Sequence, residues 1–320
     1  MKAITVRQFG APEVLKLEEV ADLEPSANQI LVRVKASGIN PVDTYIRAGL
    51  HAQKPNLPFT PGKDAAGIVE KVGSSIKKFK VGDRVLTADS ITGTYAEFSL
   101  CEENHLIKLP ENVSFEQGAG VFVPFATAYR ALFQKAKARK GETILVHGAS
   151  GGVGIAAVQW AKNAGLKVIG TASSVEGKKL VKEQGANFVF DHSNENYLSE
   201  IKEATNGRGV EVILEMLANV NLVKDFEVLA MFGRISVIGN RGSLDFNPRL
   251  VMGKDASIFG MSLFNAPKAE MKEIYKAIFD GLAKGFLNPI VGRTFALSKA
   301  AAAHHAVIED KAFGKIVLKV

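Results

Sequence analysis

The octet HGASGGVG at 147–154 constrains this 320-residue chain most, because it follows the apolar run TILV directly and leads straight into a helix-like segment. Gly148, Gly151, Gly152 and Gly154 give a turn that tolerates positive φ and leaves no Cβ between the backbone and a bound anion. The following helix presents unpaired N–H groups and a partial positive charge to a pyrophosphate. In the register of the dinucleotide fingerprint G-x-G-x-x-G, the hexad runs from Ala149 to Gly154 with alanine at the first glycine; one residue earlier it reads Gly148-x-x-Gly151-x-x-Gly154. A glycine-rich packing turn is the bland alternative. The strand before it, the helix after it and the repeats behind it favour a dinucleotide.

Those repeats set the fold class. Apolar runs centre near positions 145, 168, 189, 213, 236 and 260, separated by segments such as VGIAAVQWAKNAG and EGKKLVKEQG. That spacing suits βαβ units with right-handed crossovers and predicts a doubly wound parallel sheet. A helical stretch over about 116–136 leads into it. Upstream, QILVRVKASG (29–38), AGIVEKVG (66–73), GDRVLT (82–87) and TYAEFSL (94–100) are short, β-branched and bounded by turns, as in a closed or partly closed barrel-like unit. Met271, Ile274, Ile278 and Leu282 fall at helical spacing, and GKIVLKV at the end reads as a strand returning to the first domain. The expectation is α/β: a discontinuous β-barrel-type catalytic domain over 1–124 and 265–320, and a Rossmann domain over 125–264.

Composition narrows the classes. The 47% hydrophobic and 23% charged content is that of a globular chain, without a disorder signature. The uncharged window Thr143–Ala161 is split by glycines and carries His147 and Gln159, so strand, turn and buried helix explain it better than a membrane span. The opening MKAITVRQFG lacks the apolar stretch of a secretory signal, and Cys101 is the single cysteine, so a reducing, cytoplasmic setting is expected. With 40 Lys+Arg against 33 Asp+Glu the net charge is +7, which favours anionic partners: a phosphorylated cofactor or nucleic acid.

An NAD site usually places a carboxylate at the end of the second strand, about twenty residues past the turn. Here LKVIGTA ends in Ser173 and Ser174, with Lys178 and Lys179 on the next helix. Hydroxyls and ammonium groups accept a 2′-phosphate that a carboxylate repels, so NADPH is favoured. Glu176 is the complication, and at a helix start it can serve the helix dipole instead.

The stretch GETILVHGASGGVGIAAVQWAK (141–162) resembles the signature of the quinone oxidoreductase/zeta-crystallin family, zinc-free members of the medium-chain dehydrogenases/reductases. GINPVDTYIRAG, PFTPGKDAAG, FKVGDRV, ATAYRAL, EMLANVNL and VIGNRG are similar to the same family in the same order, over nearly the whole chain. The resemblance implies a GroES-like catalytic domain, a Rossmann domain, NADPH in the cleft between them and a dimer or tetramer. It implies that Tyr45, Ser150, Gly151, Gly152, Val153, Ser173, His192, Asn221, Ile238, Gly239, Asn240, Arg241, Met261, Ser262 and Leu263 line the cofactor. Thr127 would contact its nicotinamide end, and Lys311 is a weaker phosphate candidate.

Related alcohol dehydrogenases hold a catalytic zinc with a cysteine and a Gly-His-Glu histidine. Here the region Gly38–Asn40 has no cysteine, and Gly62, Lys63 and Asp64 replace the second motif. His304 and His305, the one close histidine pair, point about 100° apart on a helix. No metal is expected. Without a Lewis acid, the substrate should already be electrophilic: a quinone, or an enone or enal. Asn40 and Tyr45 are the candidates to hold its oxygen, Tyr45 as a hydrogen-bond donor or the wall of the nicotinamide pocket. Asp43 reads as a turn acceptor. The resemblance puts ortho-quinones first, with one-electron reduction, and alkenal double bonds second. It also raises a role in AU-rich RNA binding or as a lens protein. The basic runs QKAKARK (134–140) and IKKFK (76–80) lack an interleaved aromatic platform, which argues against RNA. The edge-like run SIFGMSLF (257–264) suggests pairing with a second copy.

Overall fold

The computed structural model describes residues 1–52 and 54–320. They form two compact units, one comprising 1–123, 278–310 and 314–320, the other 124–277 and 311–313. The sequence boundary of 264/265 therefore moves to 277/278, inside a helix whose first turns pack with the second unit through Arg130 and Glu270.

The first unit begins with β1 (Lys2–Thr5), β2 (Lys16–Glu19) and the long β3 (Gln29–Ile39), then α1 (Pro41–Arg47). It continues through β4 (Ala65–Val72), β5 (Arg84–Thr87), β6 (Phe98–Glu102), β7 (Leu106–Lys108) and α2 (Phe115–Ala119). TYAEFSL is thus strand only from Phe98; Ala96 makes an isolated bridge to Ala3 instead. The helical stretch foreseen near 116–136 is three pieces: α2, α3 (Phe122–Tyr129) and a π-helical segment Arg130–Lys135.

The second unit alternates β8 (Thr143–Val146), α4 (Gly152–Asn163), β9 (Lys167–Thr171), α5 (Val175–Gln184), β10 (Phe188–Phe190) and α6 (Tyr197–Ala204). Then come β11 (Val210–Glu215), α7 (Ala218–Val228), β12 (Leu229–Val237), α8 (Arg249–Met252), β13 (Ser257–Gly260) and α9 (Lys268–Ala283). The chain closes with β14 (Val291–Ala296), α10 (Ala300–Glu309) and β15 (Lys315–Lys319) in the first unit.

The six strands of the second unit pair in the order β10-β9-β8-β11-β12-β13, every pair parallel. This is the doubly wound sheet that the apolar spacing predicts. Both faces are covered, so its strands read as continuous apolar runs: Ile144, Leu145, Val146 and Ile213 are fully buried. Chain order reverses between β8 and β11, and ligands bind such sheets at that switch point, beyond the strand carboxyl ends.

In the first unit, the order is β14-β15-β3-β4-β5-β7, with β6 also on β3. β15 runs antiparallel to β3, so the last strand of the chain closes the sheet begun near its start. Ile4, Val6, Ile39, Tyr95 and Leu318 form one core of this unit, and Ile30, Val32, Val69, Val85 and Cys101 another. Cys101 is fully buried, and burial pushes its thiol up to about 12, so it packs as an inert apolar side chain.

Candidate cofactor and substrate site

The glycine turn has the geometry its sequence requires. Gly148 bends the chain at φ +56°, and its amide donates to Thr171 Oγ1 at 3.2 Å. The Ala149 amide donates to Thr171 O at 2.8 Å, tying the turn to the next strand. A Cβ on Gly154 would stand 2.5 Å from Ala149 Cα, so the helix sits directly on the turn. The N-cap of α4, Gly151, has no side chain to accept a hydrogen bond, and the amides of Gly152, Val153 and Gly154 lack intrahelical acceptors. Open amides at the positive end of a 12-residue helix fit a diphosphate. Ser150 Oγ donates to Ala312 O at 2.8 Å, which fixes its side chain at the turn.

The other sequence-predicted cofactor residues of this unit follow carboxyl ends of the same sheet. Ser173 lies past β9, His192 past β10, Asn221 past β11, Ile238–Arg241 past β12 and Met261–Leu263 past β13. The parallel topology gathers them on one edge although up to 113 residues separate them in sequence, from 150 to 263. Beyond β9 no carboxylate appears before Glu176. Ser174 caps α5 by accepting the Gly177 amide at 2.9 Å, leaving Ser173 half-buried beside it. Lys178 is not a bare ammonium: its Nζ donates to Asp191 Oδ2 at 2.9 Å. Hydrogen bonds from Ser193 and Lys178 hold the Asp191 carboxyl well below the usual carboxylate range, so this ion pair persists at neutral pH. Any anion must share Lys178 with Asp191. His192, next in sequence, is exposed, as is Arg241.

The loop after β12 is fastened to the β11–α7 turn. Ala218 donates to Gly239 O at 3.0 Å, Ile238 to Glu215 O at 2.9 Å, and Arg241 N to Asn219 Oδ1 at 3.0 Å. Asn240 accepts the Asn219 amide through Oδ1 at 3.0 Å. A Cβ on Gly239 would meet Met216 O at 2.2 Å, so glycine is required there. The Met261 amide donates to Val237 O at 3.0 Å, Ser262 O accepts from Arg130 at 3.0 Å, and Leu263 and Thr127 are buried.

Two carboxylates that the sequence reading did not single out complete this edge. Glu215 ends β11 and Asp225 lies on α7, both fully buried. His147 Nε2 is 2.8 Å from Asp225 Oδ1 and 3.5 Å from Glu215 Oε2. Burial pushes the Glu215 carboxyl up to about 7; burial depresses the His147 imidazole, and the neighbouring carboxylates more than offset it. One ligand atom from each of the three lies within 4.8 Å of the others, a spacing that could hold a cation. The expectation of no metal weighed cysteines and a histidine pair and did not consider this trio. Its only sequence signal is a histidine and a glutamate ending parallel strands.

In the first unit, Tyr45 is half-buried on α1, whose first turn is fixed by the Asn40 amide donating to Asp43 Oδ2 at 2.8 Å. Asn40 itself is 2% exposed. Its Nδ2 donates to Asp64 Oδ2 at 3.0 Å, and its Oδ1 accepts from Lys315 Nζ. Both ends of that amide have partners, which ties the start of α1 to Asp64 and Lys315 and leaves one amide hydrogen as the donor Asn40 could offer a substrate. Asp64, at the position of the Glu in the zinc motif, also accepts the Val123 amide at 3.1 Å and lies 3.4 Å from Lys315 Nζ. The Lys315 ammonium is thus the buried cation beside Asp64.

A discontinuous GroES-like unit and a doubly wound sheet with a glycine turn at its switch point define a medium-chain dehydrogenase/reductase. A family model described as alcohol dehydrogenase GroES-like domain matches residues 26–111, and one described as zinc-binding dehydrogenase matches 152–280. The quinone oxidoreductase of Rattus norvegicus is 49% identical over 320 residues, spanning 99% of this chain and 97% of the rat protein. That of Homo sapiens is 47% identical with the same coverage. The crystal structure of Escherichia coli quinone oxidoreductase complexed with NADPH superposes with a TM-score of 0.91 at 33% identity, covering 100% of both chains. The chain belongs to the quinone oxidoreductase family of the medium-chain dehydrogenases/reductases.

Proposed function

We propose that this protein is an NADPH-dependent quinone reductase that works without a metal or flavin. The observation that carries the reading is the set of open amides at Gly152–Gly154, at the switch point of the parallel sheet, with no carboxylate at the end of β9. When bound, the nicotinamide supplies the reducing equivalents. The chain's own residues bind and orient. The α4 amides and the Ser150 turn take the diphosphate, while Ser173, Lys178 and His192 receive the 2′-phosphate. Asn221, the Ile238–Arg241 loop, Met261–Leu263 and Thr127 take the nicotinamide half. In the first unit the Tyr45 hydroxyl serves the substrate oxygen, donating a hydrogen bond as negative charge develops on it.

Ortho-quinones are the substrates we favour, reduced by delivery of a hydride or of single electrons from NADPH. Oxidised quinone needs no Lewis acid to accept electrons, and its reduced oxygens can take protons from water. Strand β13 is the edge of its sheet, so a homodimer by edge pairing belongs to the same proposal. Among the described residues no helix is long and apolar enough to cross a membrane. The test is steady-state turnover of 9,10-phenanthrenequinone and trans-2-nonenal with NADPH and with NADH. Quinone turnover preferring NADPH is expected; turnover of the enal alone overturns the substrate assignment.

A further inference from the structure

Glu215, Asp225 and His147 are 0%, 0% and 3% exposed, yet the chemistry proposed above uses none of them. Packing gives no reason to bury two carboxylates against one imidazole, since apolar side chains of similar volume usually stabilise a core at least as well. Glu215 Oε2 and Asp225 Oδ2 lack hydrogen-bond partners, so the arrangement is costly. What distinguishes Glu215 is its other oxygen. Oε1 accepts the backbone amide of Leu217, just before α7, and Nδ2 of Asn221 at 3.2 Å.

A carboxylate oxygen accepts hydrogen bonds, so its neighbour must present the amide NH2. That fixes which way the Asn221 side chain faces. With Nδ2 turned to Glu215, Oδ1 is the end left to accept a hydrogen bond. His147 Nε2 is hydrogen-bonded to Asp225 Oδ1 at 2.8 Å and lies 3.5 Å from Glu215 Oε2, the oxygen other than the one that meets α7. Tyr197, buried on α6, feels the charges of both carboxylates and of Glu227, and His192 feels that of His147.

We infer that Glu215 is a positioning residue for the cofactor, orienting Asn221 so that its carbonyl oxygen meets a donor group of the nicotinamide half, a ribose hydroxyl or the carboxamide NH2. This rests on the reading that Asn221 contacts NADPH. The half of the cofactor follows from strand order. The 2′-phosphate belongs beyond β9 on one side of β8, so the nicotinamide half falls on the other side, where β11 and α7 lie. Asp225 and His147 act one step further back, by holding Glu215.

The test is a double-mutant cycle read as dissociation constants for NADPH and for 2′,5′-ADP, which carries the phosphorylated adenosine and no nicotinamide. Glu215→Ala and Asn221→Ala should each weaken NADPH about tenfold, the size of one lost hydrogen bond. Together they should weaken it no more than about twofold beyond either alone, because both remove the same contact. Glu215→Gln keeps an acceptor of the same shape and should bind within about threefold of wild type. Binding of 2′,5′-ADP should not change in any variant. Should Glu215→Ala fail to fold, lost 2′,5′-ADP binding exposes it. Asp225→Ala, which removes the acceptor that holds His147, then takes its place, with the same selective loss of NADPH expected. Full additivity with Asn221→Ala, or wild-type NADPH affinity in the Asn221, Glu215 and Asp225 variants, overturns the inference. If wild-type protein binds neither ligand, the cofactor assignment itself fails.

Discussion

His304 offers the sharpest test of the electrostatics, because its protonation is opposed from every side. The ring is 1% exposed on α10, stacked edge-on against Tyr95 with centroids 5.7 Å apart. Tyr95 Oη donates to Asp43 Oδ2 at 3.3 Å, so the 3.2 Å contact with His304 Nε2 is one in which the imidazole donates. Nδ1 then has no partner. A second proton there would be buried without an acceptor and near the Arg47 guanidinium. Burial first, then Arg47 and His305, push the group down to about 3 from an ordinary 6.5.

The sign follows from linkage. Below pH 6.5 the unfolded chain protonates this histidine and the folded chain does not, so stability is lost as pH falls, until about pH 3 is reached. At about 1.36 kcal/mol per pH unit, moving from pH 7 to 5 costs about 2 kcal/mol. Asp43 works the other way. Burial raises its carboxyl to about 6, so the folded state takes up a proton first and gains about 1 kcal/mol over the same interval. The gain at Asp43 offsets about half of the loss at His304 in the wild type, which is why the difference between variants is the informative quantity. His304→Gln removes one titration and leaves the other. Its stability relative to wild type, from urea unfolding followed by circular dichroism, should rise by about 2 kcal/mol between pH 7 and pH 5. A difference that stays constant across that range refutes a buried neutral imidazole at 304.

Gly154→Ala places a methyl group 2.5 Å from Ala149 Cα and from Gly148 O, both backbone atoms. It should cost about 1–3 kcal/mol of stability and weaken NADPH at least tenfold, checked by thermal unfolding and fluorescence titration. Lys315→Met leaves Asp64 buried without its cation and should destabilise by about 3–5 kcal/mol. A melting temperature within a degree of wild type would show that the pair contributes nothing.

The alternation of strands and helices was legible because βα repeats covered on both faces turn into long apolar runs, and the glycine turn because tight turns admit few residue types. Asn40 and Lys178 show where such reading stops. Both residue types suit the roles expected of them, yet Asn40 is enclosed by Asp64 and Lys315, 24 and 275 positions away, and Lys178 is shared with Asp191. The His147–Glu215–Asp225 trio was invisible for the same reason: 68 and 10 residues separate successive members, and only the pairing of β8 with β11 brings the first two together. By itself the sequence determined the sheet and its anion-binding turn, since hydrophobic period and φ tolerance are local properties. Which side chains are free to meet a ligand was decided by tertiary structure, because hydrogen-bond capacity is spent on partners that no local pattern reveals.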